Sequence, residues 1–127
     1  MQYETIRAAI CDDEEYFRTT EKKLISKYMA GKNCECMIDM YESGKELLAL
    51  RSAISQYNII FLDVNMEEID GIETAKEIRK ITKDVFIVFV TAFITYALEG
   101  YKVDAVRYLI KDHESLEKAM TECMDTI

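Results

Sequence analysis

At 127 residues the chain is the size of a single domain and long enough to bury one real core. Half of its residues are apolar and 31% are charged, an ordinary globular balance, and no apolar run approaches the roughly 20 residues of a membrane span. Its formal charge of −8, from 24 acids against 16 bases, disfavours direct nucleic-acid binding by this chain, which needs a basic face. The N-terminus, MQYETIRAAICDDEE, lacks the basic segment and apolar stretch of a signal peptide, so a cytoplasmic location with no membrane partner is the expectation.

In chain order, apolar β-branched runs alternate with helical patterns. Ile6 to Cys11 reads as a short strand. Glu14 to Ala30 carries Phe17, Leu24, Ile25 and Tyr28 at helical spacing, with Gly31 as the stop. Cys34 to Tyr41 alternates as an edge strand does. Ser43 with Glu46 three residues on forms a capping box for a helix through about Ala53. Asn58 to Asp63 is the third strand, and Asp70 caps a helix from Gly71 to Lys80, with Ile72, Ala75, Ile78 and Arg79 along its buried edge. Val85 to Val90 is the most apolar strand and is expected at the centre. A weak helix over about Thr95 to Tyr101, a strand at Ala105 to Ile110, and a helix over about Glu114 to Thr126 complete the chain.

Five strand–helix units of this length build a parallel sheet, with right-handed crossovers placing helices on both faces. The expectation is one doubly wound α/β domain, (βα)5 and flavodoxin-like, with strand order 2-1-3-4-5. In such sheets the functional crevice lies beyond the carboxyl ends of the strands. Strand one ends in Cys11-Asp12-Asp13-Glu14, strand three at Asp63, strand four at Thr91 and strand five at Lys111.

If strands one and three are neighbours, Asp12, Asp13 and Asp63 converge. Two unit charges about 4 Å apart repel by about 4 kcal/mol at an effective dielectric near 20. Such a cluster must take up protons, pair with Lys111, or borrow a cation, and Mg²⁺ suits it because it favours oxygen ligands and needs only one or two carboxylates. The bland alternative makes Asp12 and Asp13 caps of the first helix. Cys34-Glu35-Cys36 invites a thiolate metal site, but with His113 as the single histidine the further ligands are short, and reduced thiols are the simpler account.

The segments ICDDE, FLDVNMEEIDGIE, FVTAF and VRYLIK, in this order and spacing, resemble the receiver domain of two-component response regulators over essentially the whole chain, residues 1–127. ICDDE together with FVTAFITYALEGYKVDAVRYLIK is similar to the LytR/AgrA-type (LytTR) regulators. The resemblance implies that Asp63 accepts a phosphoryl group from a sensor histidine kinase. It implies Asp13 as a direct Mg²⁺ ligand, Asp12 as one acting mostly through water, and Asn65 as the donor of a backbone carbonyl. Thr91 and Lys111 would hold the phosphoryl oxygens, and Tyr108 would be the aromatic switch. Asn65 and Phe93 would tune hydrolysis, Phe93 by excluding water. The output is expected to be transcriptional, with DNA reached only through an output domain that this chain lacks, and a homodimer is expected through the fourth and fifth predicted helices and the fifth strand.

The chain contains no proline, whereas the family carries one after the positions of Met66 and Lys111; Glu67 and Asp112 stand there instead. Because a non-proline cis bond is disfavoured by about 2.5–4 kcal/mol, the Lys111–Asp112 bond is expected to be trans. Three other functions compete. A haloacid-dehalogenase-like aspartyl phosphatase wants a second acid where Asn65 stands. A flavodoxin-like cofactor binder wants a glycine-rich loop where Asp12 and Asp13 stand. A pseudo-receiver acting only as an interaction module would have no need of all five site residues.

Overall fold

The computed structural model describes residues 5–92, 105–112 and 114–126. Five strands, β1 (Thr5–Cys11), β2 (Glu35–Tyr41), β3 (Ile59–Asp63), β4 (Phe86–Thr91) and β5 (Ala105–Ile110), form one parallel sheet in the order β2-β1-β3-β4-β5. The expected order is met, with one correction: β3 rather than β4 occupies the centre. Both are interior and apolar up to a polar last residue, Asp63 or Thr91, so hydrophobicity alone could not rank them.

Alternation along the strands divides the core in two. Ile6, Ala8, Ile10, Ile59, Phe61, Val88 and Val90 face α1 (Glu15–Gly31) and α4 (Leu116–Asp125), the last helix of the chain. Ala9, Cys11, Ile60, Leu62, Ile87 and Phe89 face α2 (Gly44–Leu48), a 3-10 turn at Arg51–Gln56, and α3 (Gly71–Ile81). Period two in the strands thus feeds two helical layers, and each fully buried Ile, Leu or Phe contributes about 1.5–3 kcal/mol.

The caps follow the expected chemistry. Ser43 Oγ accepts from Glu46 N–H at 3.1 Å and Asp70 Oδ1 from Glu73 N–H at 2.8 Å. Other boundaries differ from expectation. The helix expected to run to Ala53 stops at Leu48, because Arg51 takes a left-handed φ of 52° at which an α-helix cannot continue. Gly31 is the last residue of α1, but the chain reverses at Asn33, φ 53°, a residue type that tolerates this conformation. The last helix begins at Leu116 rather than near Glu114. The helix expected over Thr95 to Tyr101, Phe93 and His113 lie outside the described residues.

Candidate functional site

The crevice is built at the carboxyl edge of β1, β3, β4 and β5. Asp63 ends β3 on the face it shares with Ile59 and Phe61, the α1 side of the sheet, and is 3% exposed. Asp12 follows β1 and is 1% exposed; its Oδ1 accepts from Glu14 N–H at 2.9 Å, so it supports the start of α1 while facing the crevice. Arg18 donates to the Asp12 carbonyl at 2.8 Å and locks this turn. Asp13 and Glu14 are exposed beside it.

The loop after β3 turns back without proline. Gly71 N–H donates to Val64 O at 2.9 Å, and the backbone passes so close that a Cβ on Gly71 would lie 2.1 Å from Asp63 O. Only glycine fits there. Lys45 pairs with Glu68 at 2.8 Å across the same loop, an ion pair with both side chains exposed.

Lys111 reaches the acids directly. Its Nζ stands 2.9 Å from Asp12 Oδ2, 3.2 Å from Asp63 Oδ1 and 3.8 Å from Glu14 Oε1, with the side chain only 5% exposed. No peptide bond among the described residues is cis, so the Lys111–Asp112 bond is trans, as the missing proline predicts. A trans bond leaves Lys111 two routes to the acids, a different rotamer or a move made only after phosphorylation, and the second is not needed. The lysine already sits in the crevice, held by its own N–H donating to Thr91 O at 2.9 Å and by the Asp112 N–H donating to Ile110 O at 2.8 Å.

Two contributors escape sequence reasoning. Phe17 places its ring centroid 4.2 Å from Lys111 Nζ, a cation–π contact that walls the ammonium on one side. Glu14 joins Asp12, Asp13 and Asp63 in a set whose carboxylate oxygens lie within 4.8 Å of one another. Phe17 could have been found from its position one turn after Asp13 on the buried face of α1; Glu14 stood in the quoted motif but had no geometric claim without the fold.

Electrostatics follow burial. Burial, reinforced by the charge of Asp12, pushes the Asp63 carboxyl up to about 7 against the opposing pull of Lys111. Asp12 is raised by burial too, although the Lys111 ammonium and the Glu14 N–H oppose this. Burial works against a charged Lys111, but its pairing with Asp12 and Asp63 outweighs it and leaves the ammonium favoured. Fully ionised, four carboxylates face one ammonium, a net of three negative charges, so a divalent cation would leave one. An all-oxygen donor set of this charge fits Mg²⁺.

Thr91, fully buried, ends β4 opposite Ile110 in the register. Tyr108 is half-buried, its ring 5.0 Å from that of Phe89. Asn65 is exposed and lines, with Glu14, Phe17, Asp63, Ala92 and Lys111, a pocket of about 170 Å³ over the acids. Asp12, Asp13, Asp63, Asn65 and Lys111 are thus brought together, and Thr91 lies at the end of the strand beside them.

Residues 8–121 match the family described as response regulator receiver domain. The chain is 34% identical over 86% of its length to the sensory transduction protein LytR of Staphylococcus saprophyticus, covering 41% of that protein. It is 32% identical over 96% of its length to the sensory transduction protein LytT of Oceanobacillus iheyensis, covering 49%. It therefore spans about half the length, or less, of these curated relatives. Among solved structures, the response regulator protein TrrA from Thermotoga maritima, in complex with Mg²⁺ and BeF, superimposes with a TM-score of 0.72 at 30% identity, covering 93% of this chain and 98% of that one.

Proposed function

The chain belongs to the response regulator receiver domain family, the receivers of two-component systems, and from that premise we propose that Asp63 is its phosphoacceptor. The observation that carries this reading is Asp63 buried at the end of the central strand with Lys111 bridging it to Asp12. One Asp63 oxygen attacks the phosphorus of a phosphohistidine on a sensor kinase; the P–N bond breaks as the P–O bond forms, and the imidazole leaves. Bound Mg²⁺ would supply charge neutralisation for the incoming phosphoryl oxygens. Asp13 would hold it directly, Asp12 mostly through water, Asp63 through a carboxylate oxygen and Asn65 through its backbone carbonyl.

The remaining work is positioning and charge stabilisation, which phosphoryl transfer chiefly requires. Lys111 and the Thr91 hydroxyl take the phosphoryl oxygens, and Tyr108, packed on Phe89, follows Thr91 when it moves. Phe93 would exclude water from the acyl phosphate, where an acid or an amide such as that of Asn65 could orient it. The chain assists its own phosphorylation and is no enzyme with turnover on an outside substrate. It acts in the cytoplasm and controls transcription through an output module, with two copies pairing through β5, α4 and the segment preceding β5. Among the described residues no helix is long and apolar enough to cross a membrane.

The test is intact mass after incubation with Mg²⁺ and a small phosphodonor such as acetyl phosphate. The mass rises by one phosphoryl group in the parent and not in Asp63→Asn. Labelling that persists in Asp63→Asn overturns the assignment.

A further inference from the structure

The inward stripe of α1 runs through half-buried Phe17 and then buried Glu21, Ile25 and Met29, and its second member is an acid. Glu21 is 1% exposed, and its Oε2 has no hydrogen-bond partner. A leucine would serve packing better, because a buried acceptor left unpaired is destabilising. Residues four apart on a helix lie on the same face with Cβ atoms about 5–6 Å apart, and side chains lean toward the helix N-terminus. Glu21 therefore leans toward the turn of Phe17, whose ring touches the Lys111 ammonium. The charges of Asp12, Lys111 and Asp63 all act on it, and burial raises its carboxyl well above the usual carboxylate range.

We propose that Glu21 is a second partner for Lys111, a buried acceptor beneath the crevice that takes the ammonium when a divalent cation claims Asp12 and Asp63. This rests on the Mg²⁺-dependent reading above. Lys111 and a metal ion compete for the same carboxylates, since Nζ sits 2.9 Å from Asp12 and 3.2 Å from Asp63. Two cations there repel, and the lysine must leave or weaken metal binding. Nζ already lies 4.2 Å from the centroid of the Phe17 ring, one helical turn before Glu21, so a rotation of the flexible stem around that ring is the move the proposal requires. Oε2 can accept whether or not the carboxyl is ionised, because a protonated acid keeps a carbonyl oxygen. Glu21 is thus a positioning residue: it lowers the penalty of vacating the metal site and keeps Lys111 buried and ready for the phosphoryl group.

The test is a double-mutant cycle read by Mg²⁺ titration of backbone amide NMR shifts. With Lys111 present, Glu21→Leu is expected to weaken Mg²⁺ binding by about fivefold or more, and in a Lys111→Met background to change it within about twofold. Glu21→Gln, which keeps an acceptor oxygen, falls between parent and Glu21→Leu. The Lys111 ammonium resonance gives a second measurement that needs no Lys111 variant: its Mg²⁺-induced shift should differ between parent and Glu21→Leu. Equal weakening in both backgrounds, unchanged affinity, or identical ammonium shifts overturn the proposal, even if Glu21→Leu raises the denaturant midpoint as removal of a buried polar group should. A parent chain that binds no Mg²⁺ overturns the metal-dependent reading as well, so the two failures are told apart.

Discussion

Replacing Asp63 by Asn should stabilise the metal-free protein, and by an amount that depends on pH. Burial and the Asp12 charge raise the Asp63 carboxyl from 3.8 to about 7. A group whose pKa is raised on folding contributes stability below its unfolded value and loses it as pH climbs to the folded one. Each pH unit between the two is worth about 1.4 kcal/mol, so ionised Asp63 is destabilising by about 4 kcal/mol at pH 8. That figure already includes the 3.2 Å pairing of ionised Asp63 with Lys111, so a neutral Asn of the same volume should gain about 3–4 kcal/mol at pH 8. At pH 5 native Asp63 is mostly protonated, and the gain should shrink to about 1–2 kcal/mol. Urea melts of both proteins with chelator at the two pH values measure this directly. A loss of stability at pH 8, or a gain that acid does not diminish, would mean that Lys111 already compensates Asp63 and that the crevice is not strained by charge.

Two further outcomes follow from backbone geometry. Gly71→Ala would put a methyl 2.1 Å from Asp63 O and 2.9 Å from Val64 Cα, so a destabilisation of about 3 kcal/mol is expected, with weaker Mg²⁺ binding as Asp63 shifts; urea melts and a metal titration check both. Asp112→Pro removes the N–H that donates to Ile110 O and the carboxylate that accepts from Glu114 N–H at 3.2 Å and Ser115 Oγ at 2.9 Å, so it should lower stability by about 1–3 kcal/mol; an unchanged melt would show that these bonds carry no net stability.

The parallel sheet is legible because strands covered on both faces read as uninterrupted apolar runs, and each run stops at a polar residue that marks the crevice. Asp12, Asp63, Thr91 and Lys111 are all found by that rule. Cap chemistry makes Ser43 and Asp70 legible as well, since each side chain has a fixed target three residues on. What stays hidden depends on contacts between distant segments. The left-handed turn at Arg51 is invisible, because arginine gives no local signal for it. Glu21 reads as one more polar residue on a charged helix until Ile25 and Met29 are seen buried below it. Phe17 reads as core, and its contact with Lys111 joins residues more than ninety positions apart. That trans Lys111 reaches the acids could not be read locally either, since it depends on how β5 registers against Thr91.

If Asp63 is phosphorylated as proposed, the charge balance of the crevice decides which groups would respond. Four carboxylates and one ammonium leave three negative charges, and a divalent cation would reduce them to one. A phosphoryl group on Asp63 removes that carboxylate's charge and brings about −1.5 to −2. The pocket therefore becomes more negative again, and the added charge lies farther out than the carboxylate it replaced. Asp12 and Asp13 can only repel it. The groups able to meet it are donors beyond the acids, and at the neighbouring strand ends these are the Lys111 ammonium and the Thr91 hydroxyl, the latter fully buried at the end of β4. Movement of Thr91, on the proposed reading, would open space on the side of the sheet where the rings of Phe89 and half-buried Tyr108 lie 5.0 Å apart. A site crowded with like charge is poorly suited to stability, and on the proposed reading its relief by cation and phosphoryl group would drive the side chains around it to move.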